Sequence, residues 1–81
     1  MKTTIQASDG KSRVLIIDNN PEFTRGASLL LQHTHHYIVC EENDPHRALE
    51  TARSFKPDLV IVDLIMPQVD GLEVAMQLEA D

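Results

Sequence analysis

Asp58-Leu59-Val60-Ile61-Val62-Asp63-Leu64-Ile65-Met66-Pro67, continued by Gln68-Val69-Asp70-Gly71, organises the rest of the chain. Leu59 to Val62 is an unbroken aliphatic run rich in β-branched residues. Such a run predicts a strand buried on both sides, as in a parallel sheet covered by helices above and below. The run stops at a carboxylate, Asp63, and a loop marked by Pro67 and Gly71 follows. A charge directly after a buried strand lies at the strand's C-terminal edge, where open α/β sheets place their chemistry. Taken alone, Asp63 would be read as a strand terminator. A second stretch changes that reading.

Arg13-Val14-Leu15-Ile16-Ile17-Asp18 is another aliphatic run ending in a carboxylate, and it predicts a second buried strand. Asn20-Pro21-Glu22 then opens a helix. Asn20 can cap it, and Pro21 suits the first helical position because its missing N–H needs no partner there. Phe23, Ala27, Leu30 and Leu31 fall on one face and are expected to point inward, with Arg25, Ser28 and Gln32 outward. Leu29 lies off that stripe, and the helix should fray near His33 or Thr34. Tyr37 to Cys40 is a short apolar run, read as a strand. Asp44-Pro45 repeats the cap-plus-proline signature ahead of a helix with Ala48, Leu49, Ala52 and Phe55 inward. Lys56-Pro57 ends that helix, because a residue before proline avoids helical geometry. A third helix starts near Asp70, with Gly71, Val74, Ala75 and Leu78 on its inner face. The alternation strand-helix, three times over, predicts a parallel α/β sheet within residues 13–81, preceded by a flexible segment, residues 1–12.

Composition sets the outer bounds. The chain has 81 residues, room for one small domain, and 42% hydrophobic with 25% charged residues is ordinary globular composition. A formal net charge of −6 argues against direct nucleic-acid binding by this segment, since phosphates need a basic patch. The single cysteine, Cys40, cannot form an internal disulfide, which fits a reducing compartment. Residues 1–10 lack the apolar core of a secretory signal, and no run is long enough to span a bilayer. A cytoplasmic location with no membrane contact is the expectation.

If the first and third strands are neighbours, Asp18 and Asp63 meet at one sheet edge. Two carboxylates there repel each other unless a cation lies between them. Hard oxygen ligands with room for water suit Mg²⁺. A carboxylate beside such an ion can also attack a phosphoryl group, the metal offsetting the repulsion between negative charges.

Val14-Leu-Ile-Ile-Asp18-Asn19-Asn20-Pro21, together with Asp63-Leu-Ile-Met66-Pro67-Gln-Val-Asp70-Gly71, resembles the receiver domain of two-component response regulators. The resemblance implies a flavodoxin-like three-layer fold with strand order 2-1-3-4-5. It further implies that Asp63 is the phosphoacceptor, charged by a histidine kinase or phosphotransfer protein. Asp18, Asn19 and Asp63 would hold Mg²⁺, joined by the backbone carbonyl of Ile65. Such a domain is a substrate and switch, not an enzyme in the usual sense, although receivers catalyse their own phosphorylation.

The sequence departs from the family pattern in two places. Asn19 stands where a second acid is usual, so the pocket loses a negative charge and should bind the cation more weakly. The matching stretch also stops after the third helix. The expectation is a partial receiver of three β-α units, without the Ser/Thr and Lys that contact the phosphoryl group in the family. Its third strand would then present an open aliphatic edge, and switching would be lost. Such edges recruit other chains, so a homodimer through this strand is expected if the protein is not a fragment.

Other readings compete. Asn19 also suits a pseudo-receiver, an interaction module that is not phosphorylated. A haloacid-dehalogenase-type phosphatase would need an acid two residues after its nucleophile, where Ile65 stands, and flavin binding would need a phosphate loop after the first strand. His33, His35 and His36 lack partners at zinc-site spacing and read as a solvated turn, with His46 exposed in a first helical turn. Cys40 reads as a small buried hydrophobe.

Overall fold

In the computed structural model, residues 11–63, 65–66 and 69–80 are described. Three strands form one parallel sheet: β1 (Ser12–Ile17), β2 (Tyr37–Glu42) and β3 (Leu59–Val62), in the order β2-β1-β3. Ile17 lies in register with Glu42 on one side and with Val62 on the other. The alternating pleat sends Leu15 and Ile17 to one face and Val14 and Ile16 to the other, and all four are buried.

Helix α1 (Pro21–His33) lies against β1 and β2, while α2 (Ala48–Phe55) and α3 (Gly71–Ala80) lie side by side, α2 against β1 and β2 and α3 against β3. The core is on the α2/α3 side. Leu15, Ile17, Ala48 and Val74 are at its centre, with Cys40, Ala52, Phe55, Val60, Val62 and Leu78 packed around them. The inward residues expected of α2 and α3 are largely those found.

The caps follow the sequence. Asn20 Oδ1 accepts from the N–H groups of Glu22 and Phe23, satisfying two of the unpaired donors of the first turn of α1. Asp44 caps a 3-10 turn, Pro45–Arg47, that leads into α2, so regular helix starts later than the proline implied. Helix α2 stops because Lys56 turns left-handed at φ 55, with its N–H still bonded to the Ala52 carbonyl.

Four expectations change. First, the sheet-facing side of α1 is not its most apolar stripe. Thr24 and Ser28 are fully buried, Ala27 and Leu31 half-buried, whereas Phe23 is 50% and Leu30 74% exposed. The hydroxyls are satisfied locally: Thr24 Oγ1 donates to the Pro21 carbonyl, and Ser28 Oγ accepts from Gln32 Nε2 at 2.6 Å. Small side chains with their polar atoms already bonded go under a helix at little cost. Second, β3 is buried on one face only, because Leu59 is 54% and Ile61 39% exposed while Val60 and Val62 pack on the core. Third, β2 runs two residues past Cys40, since Glu41 and Glu42 continue the ladder with β1. Fourth, the loop after Asp63 holds a short antiparallel pair, β4 (Ile65–Met66) with β5 (Val69–Asp70). Pro67, the rest of that loop and residues 1–10 of the expected flexible start, 1–12, lie outside the described residues, while Ser12 already belongs to β1.

At the N-terminal end of the sheet Arg13 ties three elements together. Its N–H donates to Asp58 Oδ2 at 2.7 Å and its carbonyl accepts from the Asp58 N–H at 2.7 Å. The guanidinium Nε donates to the Phe55 carbonyl at 2.9 Å, and the guanidinium carbon Cζ lies 4.1 Å from the Phe55 ring centroid. Arg13→Ala removes the last two contacts and leaves a helix-terminal carbonyl without its partner. The expected loss is about 1–2 kcal/mol, read as a lower midpoint in chemical denaturation.

Candidate functional site

The two aspartates are brought to one rim by backbone pairing. Beyond the last ladder pair of β1 and β2, the Asp18 N–H donates to the Glu42 carbonyl at 3.2 Å. Beyond the last pair of β1 and β3, the Asp63 N–H donates to the Ile17 carbonyl at 3.0 Å. Asp18 and Asp63 therefore end adjacent parallel strands at neighbouring positions on the carboxyl edge of the sheet. Asp18 is only 8% exposed, Asp63 is half-buried and Asn19 is exposed.

The β1–α1 loop is held by a relay of short bonds. Asp18 Oδ1 accepts from the Asn20 N–H at 3.0 Å, and Asn20 in turn caps α1. One Asp18 oxygen is thereby oriented by the backbone. Asn43, directly after β2, reaches back to the same loop. Its Nδ2 donates to the Asp18 carbonyl at 2.8 Å and to Thr24 Oγ1 at 2.9 Å. Neither Asn43 nor Thr24 stands out in the sequence. The one signal it carries for them is an amide side chain placed just beyond a strand at the carboxyl edge.

The donor set suits a hard divalent ion in chemistry: two carboxylates, an exposed amide and, two residues past Asp63, the backbone of Ile65. It is poorer in charge than an all-acid pocket. Among the described residues no group of three or more His, Cys, Asp or Glu side chains is gathered for a metal. The histidines do not supply one: the His33 and His35 rings are 6.4 Å apart on an exposed turn where His35 has φ 65. His46 is also exposed, its Nδ1 3.3 Å from Asp44 Oδ1. Burial, and then the nearby Glu42 and Glu41, push the Cys40 thiol up from its ordinary range, against a smaller opposite pull from Arg13. Cys40 is half-buried and packs against the core.

Residues 14–81 match the family model described as the response regulator receiver domain. The chain belongs to that family. The receiver is 35% identical over 71 residues to the protein PilH of Pseudomonas aeruginosa, a match covering 86% of this chain and 57% of PilH. It resembles a solved LuxR-family two-component response regulator from Aurantimonas at TM-score 0.77 and 27% identity, covering 86% of this chain and 51% of that one. The N-terminal domain of a response regulator receiver protein from Methanoculleus marisnigri shares the fold, at TM-score 0.79 and 24% identity, with 86% and 56% of the two chains covered. The receiver spans 57% of PilH and 4% of a hybrid signal transduction histidine kinase of Dictyostelium discoideum, only part of the length of these relatives. Its three parallel strands and flanking helices are those of the flavodoxin-like receiver fold. Receivers act in two-component signalling, facing histidine kinases or phosphotransfer proteins. Among the described residues no helix is long and apolar enough to cross a membrane.

Proposed function

We propose that this receiver accepts a phosphoryl group on Asp63 from a histidine kinase or phosphotransfer protein. The reading is carried by the placement of Asp18 and Asp63 on neighbouring strand ends, with the Asp63 N–H bonded to the Ile17 carbonyl. An Asp63 carboxylate oxygen bonds to phosphorus as the P–N bond of the phosphohistidine breaks. The departing imidazole keeps the electron pair and takes up a proton. Asp18, Asn19, Asp63 and the Ile65 carbonyl are the groups that would hold Mg²⁺. When bound, the ion offsets the charge on the phosphoryl oxygens. Asp18 is suited to that work because its carboxylate is buried and already aimed by the Asn20 N–H. Incubating the full chain with acetyl phosphate and Mg²⁺, and measuring intact mass, tests the proposal: a phosphorylated species supports it.

Asn19 favours a second reading, a pseudo-receiver that binds a protein partner without phosphorylation. Restoring the charge separates the two. For a cation pocket, Asn19→Asp adds a partly screened attraction and should tighten Mg²⁺ binding by roughly tenfold in a calorimetric titration. An interaction module would show no Mg²⁺ heat in either form.

The open side of β3 has its own consequence. Leu59 to Val62 pairs with β1 alone among the described strands, and no basic or acidic residue lies inside the run. Antiparallel pairing with a second copy would extend the sheet across a two-fold axis. It would also bring Asp58 of one copy opposite Asp63 of the other. Size-exclusion chromatography at micromolar concentration should therefore show a dimer that grows more prominent with added salt. A monomer at every ionic strength contradicts this pairing.

A further inference from the structure

We propose that Asn43 is a positioning residue for the divalent-cation pocket, acting through the peptide that joins Asp18 to Asn19. The inference rests on the reading of Asp18, Asn19 and Asp63 as that pocket. Residue 18 is held from both sides by consecutive residues of the β2 end. The Glu42 carbonyl takes its N–H at 3.2 Å, and the Asn43 side chain gives a proton to its carbonyl at 2.8 Å.

The Asp18 carbonyl held by Asn43 belongs to the peptide that connects the two pocket residues of the β1–α1 loop. Its orientation sets where the Asp18 and Asn19 side chains leave the backbone. The other proton of the Asn43 amide goes to Thr24 Oγ1 at 2.9 Å. Thr24 is fully buried in the first turn of α1, and its hydroxyl proton is committed to the Pro21 carbonyl at 3.1 Å. Its oxygen is thus fixed as an acceptor, and the amide is locked in one orientation. One half-buried side chain thereby joins the ends of β1 and β2 to the start of α1. Groups that orient metal ligands in this way commonly contribute ten- to hundredfold to affinity, roughly.

The test uses the full chain with Mg²⁺ itself as the probe. Binding is followed at the backbone amides of Asn19 and Asp63 and at the Asn43 side-chain amide by NMR. In the wild type, the Asn43 side-chain resonances should shift with the same half-saturation as Asn19. Asn43→Ala and the similarly sized Asn43→Leu should each weaken Mg²⁺ binding about tenfold in the folded population.

Wild-type binding with unchanged affinity in a folded variant overturns the positioning role while leaving the pocket intact. Asn43 resonances that ignore Mg²⁺ while Asn19 responds overturn it as well, even if both variants fail to fold. Absence of any Mg²⁺ response in the wild type overturns the pocket reading and this inference with it.

Discussion

Replacing Asp63 with alanine is expected to abolish acyl phosphate formation on this receiver. The expected result is a complete loss of the phosphorylated species after incubation with a small phosphodonor and Mg²⁺, with the fold retained. The loss should be total because the other carboxylate at this rim, Asp18, is poorly placed to substitute. Asp18 is buried, and one of its oxygens is occupied by the Asn20 N–H. The substitution is tolerated because Asp63 follows the last residue of β3, and its backbone bond to the Ile17 carbonyl does not depend on the side chain. A phosphorylated Asp63→Ala protein would place the acceptor elsewhere.

Leu15→Ala has the largest expected effect on stability. Leu15 is fully buried at the centre of the core, on the strand that pairs on both sides. Truncating such a leucine costs about 2–5 kcal/mol through lost transfer energy and the cavity left behind. A core of this size supplies only about 3–5 kcal/mol in total. The variant should therefore show little or no cooperative thermal transition by circular dichroism. Leu30→Ala serves as the contrast. Leu30 is exposed although it is just as apolar, and its loss should leave the transition nearly unchanged. A shared large effect would mean that α1 packs through the face its hydrophobic pattern suggests.

That contrast marks where the sequence was legible. The first and third strands and their carboxyl ends could be read because an aliphatic run stopped by a carboxylate fits little besides a strand reaching the rim of its sheet. The meeting of Asp18 and Asp63 at one rim depended on the first and third strands being neighbours, an order the family resemblance implied and alternation alone did not. The caps at Asn20 and Asp44 were equally plain, since each precedes a proline well suited to open a helix. The inner face of α1 was hidden. Thr24 and Ser28 look solvent-facing in any hydropathy pattern, and only their local hydrogen bonds make burial cheap. Leu59 and Ile61 misled in the opposite direction, because an aliphatic strand reads as buried whether or not its second face is covered. Asn43 carried no periodic signal, and its importance arises from three chain ends meeting at the carboxyl rim.

The central claim is that Asp18 and Asp63 serve a single divalent ion. Paramagnetic Mn²⁺, titrated into the full chain while amide resonances are followed, tests it most directly. The resonances of Asp18, Asn19 and Asp63 should broaden together with one half-saturation, recover on addition of Mg²⁺, and stay sharp in Asp18→Ala. Broadening confined to one strand end, or centred on residues away from both, would contradict it.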